Sequence, residues 1–105
     1  MKRRLSGGEV ILVIYDISDD ALRLKVADYL KSKGLVRIQK SAFIGRAPRH
    51  LRVDIEAGLR RLARLGREKG GTVNIQLYPL PPSSFQRRVV IGDYLYDEAG
   101  GVQLF

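Results

Sequence analysis

Cysteine is absent from this chain of 105 residues, and histidine occurs only once, at position 50. The lack of cysteine excludes disulfides and thiolate-bound metals, and a single histidine leaves little scope for histidine-based metal sites or acid–base pairs. No apolar run approaches the roughly 20 residues that span a bilayer. No signal-peptide cleavage pattern follows the basic amino terminus. We therefore expect one cytoplasmic domain that makes no membrane contact.

Acidic residues are few relative to basic ones. The chain has 19 Lys and Arg against 11 Asp and Glu, a net charge of +8, and a pI near 10.2. Such an excess favours a polyanionic partner, with nucleic acid first. Most of the basic residues are Arg, whose planar guanidinium suits bidentate phosphate contacts. The alternative is an ordinary basic protein with Arg-rich usage.

The longest apolar stretch is residues 10–17, which are all apolar or aromatic apart from Asp16. Because both the odd and the even positions of this stretch are apolar, we predict a strand that is buried on both faces, at the centre of a sheet. Asp16 is expected where this strand ends, just before a helix, and chemistry is often found at such a position. Alternatively, Asp16 is a turn residue that accepts hydrogen bonds from the backbone of the helix.

A first helix is predicted from Ser18, its N-cap, to about Lys33, with Gly34 ending it. Asp19 and Asp20 would complement the helix dipole in the first turn, which is the more ordinary role for acids there than binding a metal. The buried stripe comprises the residues at helical spacing: Leu22, Val26, Tyr29 and Leu30.

Residues 35–44 alternate in polarity, which fits either one long strand or two short strands that turn near residues 39–41. A four-stranded sheet needs the second arrangement. A second helix is predicted over roughly residues 51–69, and residues 72–78 form another alternating strand. The apolar face of the second helix is predicted to consist of Leu51, Ile55, Leu62 and Leu65.

The residues at the two ends of the chain are predicted to lie outside the four-stranded domain. Residues 1–9 are predicted to be a flexible leader, residues 10–80 one domain, and residues 81–105 a linker with a dimer-pairing strand. Residues 87–92 are predicted to form that strand, and residues 102–105 a short additional one. An apolar strand outside a complete sheet needs the edge of a sheet to pair with, and a second copy of the chain supplies such an edge. The fold class is therefore α+β, a ferredoxin-like β-α-β-β-α-β arrangement whose extra C-terminal strand pairs across a homodimer.

Three groups of basic or aromatic residues are candidates for nucleic-acid contact. Arg23 and Arg37 could clamp a phosphate, or could simply pair with Asp16 or Asp20. Phe43 could stack on a base, although a strand Phe is more often core or interface. Arg60, Arg64 and Arg67 lie on one stripe of the second helix and read as a surface for phosphates, or as a solvated face.

Several of these segments together resemble the Cas2 family of CRISPR-associated proteins. The matching segments are the strand end with residues 14–20, Arg23 in the first helix, residues 34–45, the strand end at residues 78–80 and the tail at residues 89–92. The resemblance covers most of the chain, from about residue 10 to residue 92. One departure is visible, because Lys40 stands where the family commonly has Tyr.

The resemblance implies a ferredoxin-like homodimer that works beside the CRISPR integrase subunit in spacer adaptation. Family members are described as metal-dependent endonucleases for single-stranded RNA or double-stranded DNA, and as scaffolds that hold DNA. Asp16 would bind the metal, expected to be Mg²⁺, with its copy in the partner subunit. Tyr15, Arg23, Arg37 and Phe43 fall on positions implicated in activity or nucleic-acid contact. Lys40 puts a base-stacking role at that position in doubt.

Three functions are therefore to be distinguished. The first is a Mg²⁺-dependent endonuclease in which Asp16 acts from both chains, since one carboxylate per chain is a poor metal site by itself. The second is a non-catalytic nucleic-acid scaffold for the CRISPR integrase. The third, a ferredoxin-like RNA- or small-molecule-binding module, is disfavoured because the aromatic-rich motif of RNA-recognition domains is missing.

Overall fold

The structure is a computed structural model, and it describes residues 9–96 of the chain. The elements follow the order β-α-β-β-α-β with a short helix after the last strand. Their bounds are β1 Val10–Ile17, α1 Asp20–Ser32, β2 Val36–Gln39, β3 Ala42–Arg46, α2 Arg49–Glu68, β4 Val73–Leu80 and α3 Pro82–Gln86. This is the predicted α+β arrangement, and the predicted leader lies almost wholly outside the described residues.

The four strands form one antiparallel sheet in the order β2-β3-β1-β4. Strand β1 is central, as its apolar residues predicted, and it pairs with β3 on one side and β4 on the other. The two-strand interpretation of residues 35–44 is confirmed, because β2 and β3 form a hairpin with an irregular register between Arg37 and Gln39. Asp16 lies at the end of the strand as expected, as the last residue but one of β1, opposite Asn74 of β4.

Both long helices pack on one face of the sheet, over the main core. The core contains Ile11, Val13, Tyr15 and Ile17 of β1, the buried residues of α1, and Phe43 of β3. In α2, Ile55 and Leu59 are buried, and Leu51 and Leu62 pack at the edge. The prediction for Leu65 was wrong, because this side chain is 44% exposed. Position 65 lies about 80° around the helix from position 55, beyond the stripe that faces the sheet.

The two long helices approach closely at two glycines of α2, which lie on nearby sides of that helix. A side chain at Gly58 would overlap the hydroxyl end of Tyr29 in α1. A side chain at Gly66 would overlap Leu22 of α1 and Val73 of β4. Glycine inside a helix is intrinsically unfavourable relative to alanine, so these positions are explained by packing and not by helix propensity.

Helix α1 begins one residue later than predicted. Its N-cap is Asp19, whose carboxylate accepts a hydrogen bond of 2.7 Å from the backbone N–H of Leu22. Ser18 is not the cap, because its hydroxyl accepts a hydrogen bond from the backbone N–H of Thr72, which ties the end of β1 to the start of β4. The predicted end of α1 is confirmed: Gly34 has φ of +91°, a conformation that glycine adopts without strain.

The segment after β4 contains a helix that was not predicted, and the pairing of the following residues with a second copy stays a prediction. Residues 82–86 form the short helix α3, and residues 87–92 do not form a strand in the single chain. Phe85 of α3 is buried against Val10 and Ile44 on the face of the sheet opposite α1 and α2. The predicted short strand at residues 102–105 lies outside the described residues. No described helix has the length and apolar character needed to cross a membrane.

Candidate functional site

Asp16 lies on the face of the sheet that α1 and α2 leave open. Side chains alternate along β1, so Tyr15 and Ile17 point into the core while Asp16 is exposed on the opposite face. Its neighbour across the strand pair is Asn74, whose side-chain oxygen accepts a hydrogen bond of 2.9 Å from Gln76. Asp16 is the single acidic residue among the strand residues of this open face.

A metal site within one chain is not supported by residues 9–96, which contain no group of three or more acidic, His or Cys side chains placed to hold an ion. Asp16 has the right chemistry for a hard divalent cation, because Mg²⁺ prefers oxygen ligands and commonly keeps several waters. Its carboxylate is exposed and its neighbours on the strand face are polar amides. These observations fit Mg²⁺ only as a shared ligand set, in which a second copy supplies the second carboxylate.

A basic cavity lies on the other face of the sheet, between the start of α1 and the β2–β3 hairpin. Its volume is 340 Å³. Its lining comprises Tyr15, Asp20, Arg23, Leu24, Arg37, Lys40 and Ser41. Tyr15, Arg23 and Arg37 are therefore brought together as a group, while Asp16 is not among them. Lys40 adds a third cation to the lining.

Arg23 is held by groups at the start of its own helix. It forms an ion pair with Asp20, and its guanidinium donates a hydrogen bond of 3.2 Å to the backbone carbonyl of Ile17. Of the two carboxylates considered for Arg23, Asp20 is thus the observed partner. Asp20 is 85% exposed in its side chain, so this pair contributes little to stability and can open toward an anion.

Arg37 lies against aromatic rings. Its guanidinium carbon is 5.0 Å from the centre of the Phe43 ring and 5.6 Å from that of Tyr96. The Phe43 ring in turn stacks on Tyr15 with centroids 6.3 Å apart. The Nε of Arg37 is buried and has no hydrogen-bond partner among residues 9–96. Such an arrangement orients the guanidinium by packing and leaves a donor unsatisfied.

Phe43 is fully buried, with 0% of its surface exposed. It therefore lies behind Arg37 and Tyr15, where no base can reach its ring without a rearrangement of the core. Its position supports the alternative that the sequence left open, a core residue that holds other residues of the cavity in place.

The three predicted arginines of α2 lie away from both the cavity and Asp16. Arg60, Arg64 and Arg67 are all exposed on α2, which covers the helical face of the sheet. The structure thus separates the predicted site residues into three places: Asp16 on the open face, the basic cavity near the hairpin, and the exposed side of α2.

An exposed apolar segment follows α3. Val89 is 80% exposed, Ile91 is 93% exposed and Leu95 is 64% exposed. Next to it, a cavity of 300 Å³ between the open face and this segment is lined by Leu12, Ile38, Ile44, Phe85 and Val90, among others. Exposed apolar side chains grouped in one short segment are typical of an interaction site.

The sequence interpretation missed that Asn74 directly opposes Asp16. It had allowed for the pairing of Arg23 with Asp20, which the structure shows. The alternation of β4 could have placed Asn74 on the outer face, but its pairing with Asp16 depends on the strand register, which no local pattern specifies. The spacing of Asp20 and Arg23, three residues apart on one helix, is itself a recognisable signal for an ion pair.

Comparisons with known proteins agree with this geometry. The family model described as "CRISPR associated protein Cas2" matches residues 9–88. The chain is 43% identical, over 84% of its length and 90% of the relative's, to "CRISPR-associated endoribonuclease Cas2" of Korarchaeum cryptofilum. A fusion from Thermoproteus tenax, "CRISPR-associated endonuclease Cas1/endonuclease Cas2 fusion", is 44% identical over 51% of this chain and 20% of the fusion.

A solved structure has the same fold. The "hypothetical protein TT1823 from Thermus thermophilus" superposes with a TM-score of 0.66 at 33% identity, covering 81% of this chain and 92% of that one. The matched family region contains all four strands and both long helices. On these grounds the chain belongs to the CRISPR-associated Cas2 family.

Proposed function

We propose that the protein is a CRISPR-associated, Mg²⁺-dependent endonuclease that cleaves RNA or DNA as a homodimer, with Asp16 of both chains at the reaction centre. The observation that carries the proposal is the exposed Asp16 carboxylate on the sheet face that α1 and α2 do not cover. The name of the Korarchaeum relative supports nuclease activity. A second carboxylate from a symmetric copy would complete a ligand set that one chain lacks.

The exposed apolar segment after α3 supports the homodimer. Val89 and Ile91 are almost wholly exposed in the single chain, and β4 is an edge strand with a free row of backbone groups. Pairing of residues 87–92 with a second copy would bury this apolar surface and satisfy the edge. The same association would bring two open faces, and hence two Asp16 side chains, toward one axis.

In this mechanism each chain contributes binding and orientation. Asp16 of both chains would hold the cation, and the cation, when bound, would lower the pKa of a water and stabilise the oxygen that leaves the phosphodiester. The polar row of Asn74, Gln76 and Tyr78 beside Asp16 offers hydrogen-bonding groups to the substrate backbone. We assign phosphate contact to Arg23 and Arg37, with Tyr15 and Phe43 as the packed support of Arg37.

The direct test is the substitution Asp16→Asn, which keeps the size of the side chain and removes its charge. Cleavage of labelled single-stranded RNA and duplex DNA, each with added Mg²⁺, should fall to background. Asp28→Asn is the matched control, because Asp28 is an exposed acid of α1 away from the open face. Full cleavage by purified Asp16→Asn protein would refute the role of Asp16.

A second function, as a scaffold for the integrase Cas1, is favoured by the Thermoproteus fusion, whose name joins the two proteins in one chain. We propose that this protein binds a separate Cas1 subunit and that the complex holds nucleic acid. Co-purification of the two proteins with unchanged yield for Asp16→Asn is expected. Loss of the complex in that variant would show that catalysis and assembly share one site.

A further inference from the structure

A row of hydrogen-bonded side chains runs along the outer face of β4 and ends beside Asp16. The hydroxyl of Tyr78 donates to the side-chain oxygen of Gln76. The amide nitrogen of Gln76 in turn donates to the side-chain oxygen of Asn74 at 2.9 Å. All three residues are exposed, and they share one face because they occupy alternate positions of the strand. We call these three residues the β4 row. It connects an exposed tyrosine with the residue directly opposite Asp16.

The β4 row has a direction. Each side-chain amide in it accepts a hydrogen bond through its oxygen, so the free groups at the Asp16 end are the two N–H donors of Asn74. The opposite direction would leave the oxygen of Asn74 free beside the carboxylate of Asp16, and two acceptors repel each other. Hydrogen bonds in a chain polarise one another, which favours one direction throughout. As the first donor, Tyr78 therefore determines which end of the Asn74 amide is available.

The carboxylate of Asp16 needs a donor once water is removed from it. In the single chain it forms no hydrogen bond or ion pair with another of residues 9–96. This carries no penalty while water reaches the open face. In the proposed dimer a second copy covers that face, and a carboxylate that loses water without gaining a donor is costly. Directly opposed residues of an antiparallel pair have Cβ atoms roughly 5 Å apart, so Asn74 is within reach.

We infer that Asn74 is a positioning residue for Asp16, and that Tyr78 fixes the direction of its amide through the β4 row. The inference rests on the proposed function, in which Asp16 of both chains holds one cation. An N–H of Asn74 donates to one carboxylate oxygen of Asp16, which leaves the other oxygen for the cation. Asn74 is not itself a metal ligand, because its oxygen is engaged with Gln76.

The alternative role of the β4 row is a direct contact with the second copy. Strand β4 is an edge strand, and exposed polar side chains there could simply touch the partner. The two roles differ in how they depend on the charge of Asp16. A hydrogen bond to an ionised carboxylate is roughly twice as strong as one to a neutral group. A positioning role therefore requires that the effect of Asn74 depends on that charge, whereas a direct contact does not.

The test is a double-mutant cycle on the dimerisation constant, measured by sedimentation in EDTA. Asn74→Ala and Tyr78→Phe are each made in the wild-type protein and in Asp16→Asn protein. Tyr29→Phe is the matched control, because it also removes a hydrogen-bonded tyrosine hydroxyl, but one that lies between α1 and α2. Circular dichroism checks that all variants remain folded. Nuclear magnetic resonance follows the side-chain NH₂ signals of Asn74, which is the only asparagine of the wild-type chain.

Asn74→Ala should weaken the wild-type dimer on the order of tenfold more than the Asp16→Asn dimer, since hydrogen bonds to charged groups contribute more than neutral ones. Tyr78→Phe should show a smaller effect with the same dependence, and it should shift the NH₂ signals of Asn74. Tyr29→Phe should do neither.

Equal weakening by Asn74→Ala in the two backgrounds would make the β4 row a direct contact and overturn the inference. Unchanged NH₂ signals of Asn74 in Tyr78→Phe protein would overturn the role of Tyr78. The proposed function fails separately, if Asp16→Asn protein still cleaves nucleic acid, because the cycle in EDTA is measured without cleavage.

Discussion

The hydroxyl of Tyr29 in α1 donates a hydrogen bond of 3.0 Å to the backbone carbonyl of Asp54 in α2. The hydroxyl reaches that carbonyl across Gly58, one turn further along α2, where any side chain would overlap the Tyr29 ring. Burial raises the pKa of the Tyr29 phenol, an effect partly offset by the positive charge of Arg61. Tyr29 and Gly58 thus form one of the two close approaches between the helices, and Gly66 against Leu22 forms the other.

Gly58→Ala is expected to destabilise the protein by about 1–3 kcal/mol, because the new methyl group overpacks against Tyr29. Without that contact the same change in a helix would stabilise by up to about 1 kcal/mol. Urea denaturation measures the difference. In a Tyr29→Ala background the sign should reverse, and a destabilisation that persists there would show that Tyr29 is not the cause.

Stability should fall at high pH through Tyr29. Because its pKa is raised in the folded state, the unfolded chain releases this proton first as the pH increases. The contribution is therefore complete below the ordinary tyrosine pKa of about 10 and is lost as the pH rises through the folded pKa. Urea denaturation from pH 8 to pH 11 of wild-type and Tyr29→Phe protein checks this. Equal pH dependence in the two proteins would contradict it.

The start of α1 depends on Asp19 and not on Ser18. Asp19→Ala should cost about 1 kcal/mol, since it removes the side chain that accepts the N–H of Leu22. Asp28→Ala serves as the control, because Asp28 is an exposed mid-helix acid with no capping role. Thermal denaturation of both variants is the measurement, and equal losses would exclude a capping effect specific to Asp19.

The spacing of apolar residues predicted most of the fold, because buried positions recur every second residue in a strand and every three to four residues in a helix. The central strand, the stripe of α1 and the inward residues of β4 follow patterns that a sheet covered on one face imposes. The N-cap was misplaced by one residue because Ser18 and Asp19 are both good caps and the tertiary contact with Thr72 decides between them. Residues 87–92 have strand composition, yet they pair with no strand in the single chain, because strand formation depends on context more than on composition.

The candidate site was less predictable than the fold. The sequence indicated Asp16, Arg23 and Arg37, but it could not show that the first lies on one face of the sheet and the other two on the opposite face. That separation follows from the alternation of β1 together with the position of both helices on one side. Likewise, the burial of Phe43 depends on β3 lying beside the central strand, which is a matter of topology.

We expect Arg37 to contribute to the binding of nucleic acid and not to the stability of the fold. Its Nε is buried without a partner, a cost that an apolar side chain of similar length avoids. Arg37→Met should therefore change the free energy of unfolding by less than about 1 kcal/mol, or stabilise the protein, while RNA binding weakens. Denaturant titration and anisotropy test the two parts, and a large destabilisation would instead make Arg37 a structural residue.

Asp16 should oppose dimerisation when no cation is present. In the proposed dimer two Asp16 carboxylates face one axis, and like charges that approach closely repel each other unless a cation lies between them. Asp16→Asn should therefore tighten the dimer in EDTA, on the order of tenfold for a close pair, and Mg²⁺ should tighten the wild-type dimer but not the variant. Sedimentation with and without Mg²⁺ measures both effects, with Asp28→Asn as the control. If Mg²⁺ tightened both dimers equally, the cation would act elsewhere, and the Asp16 side chains could not share it.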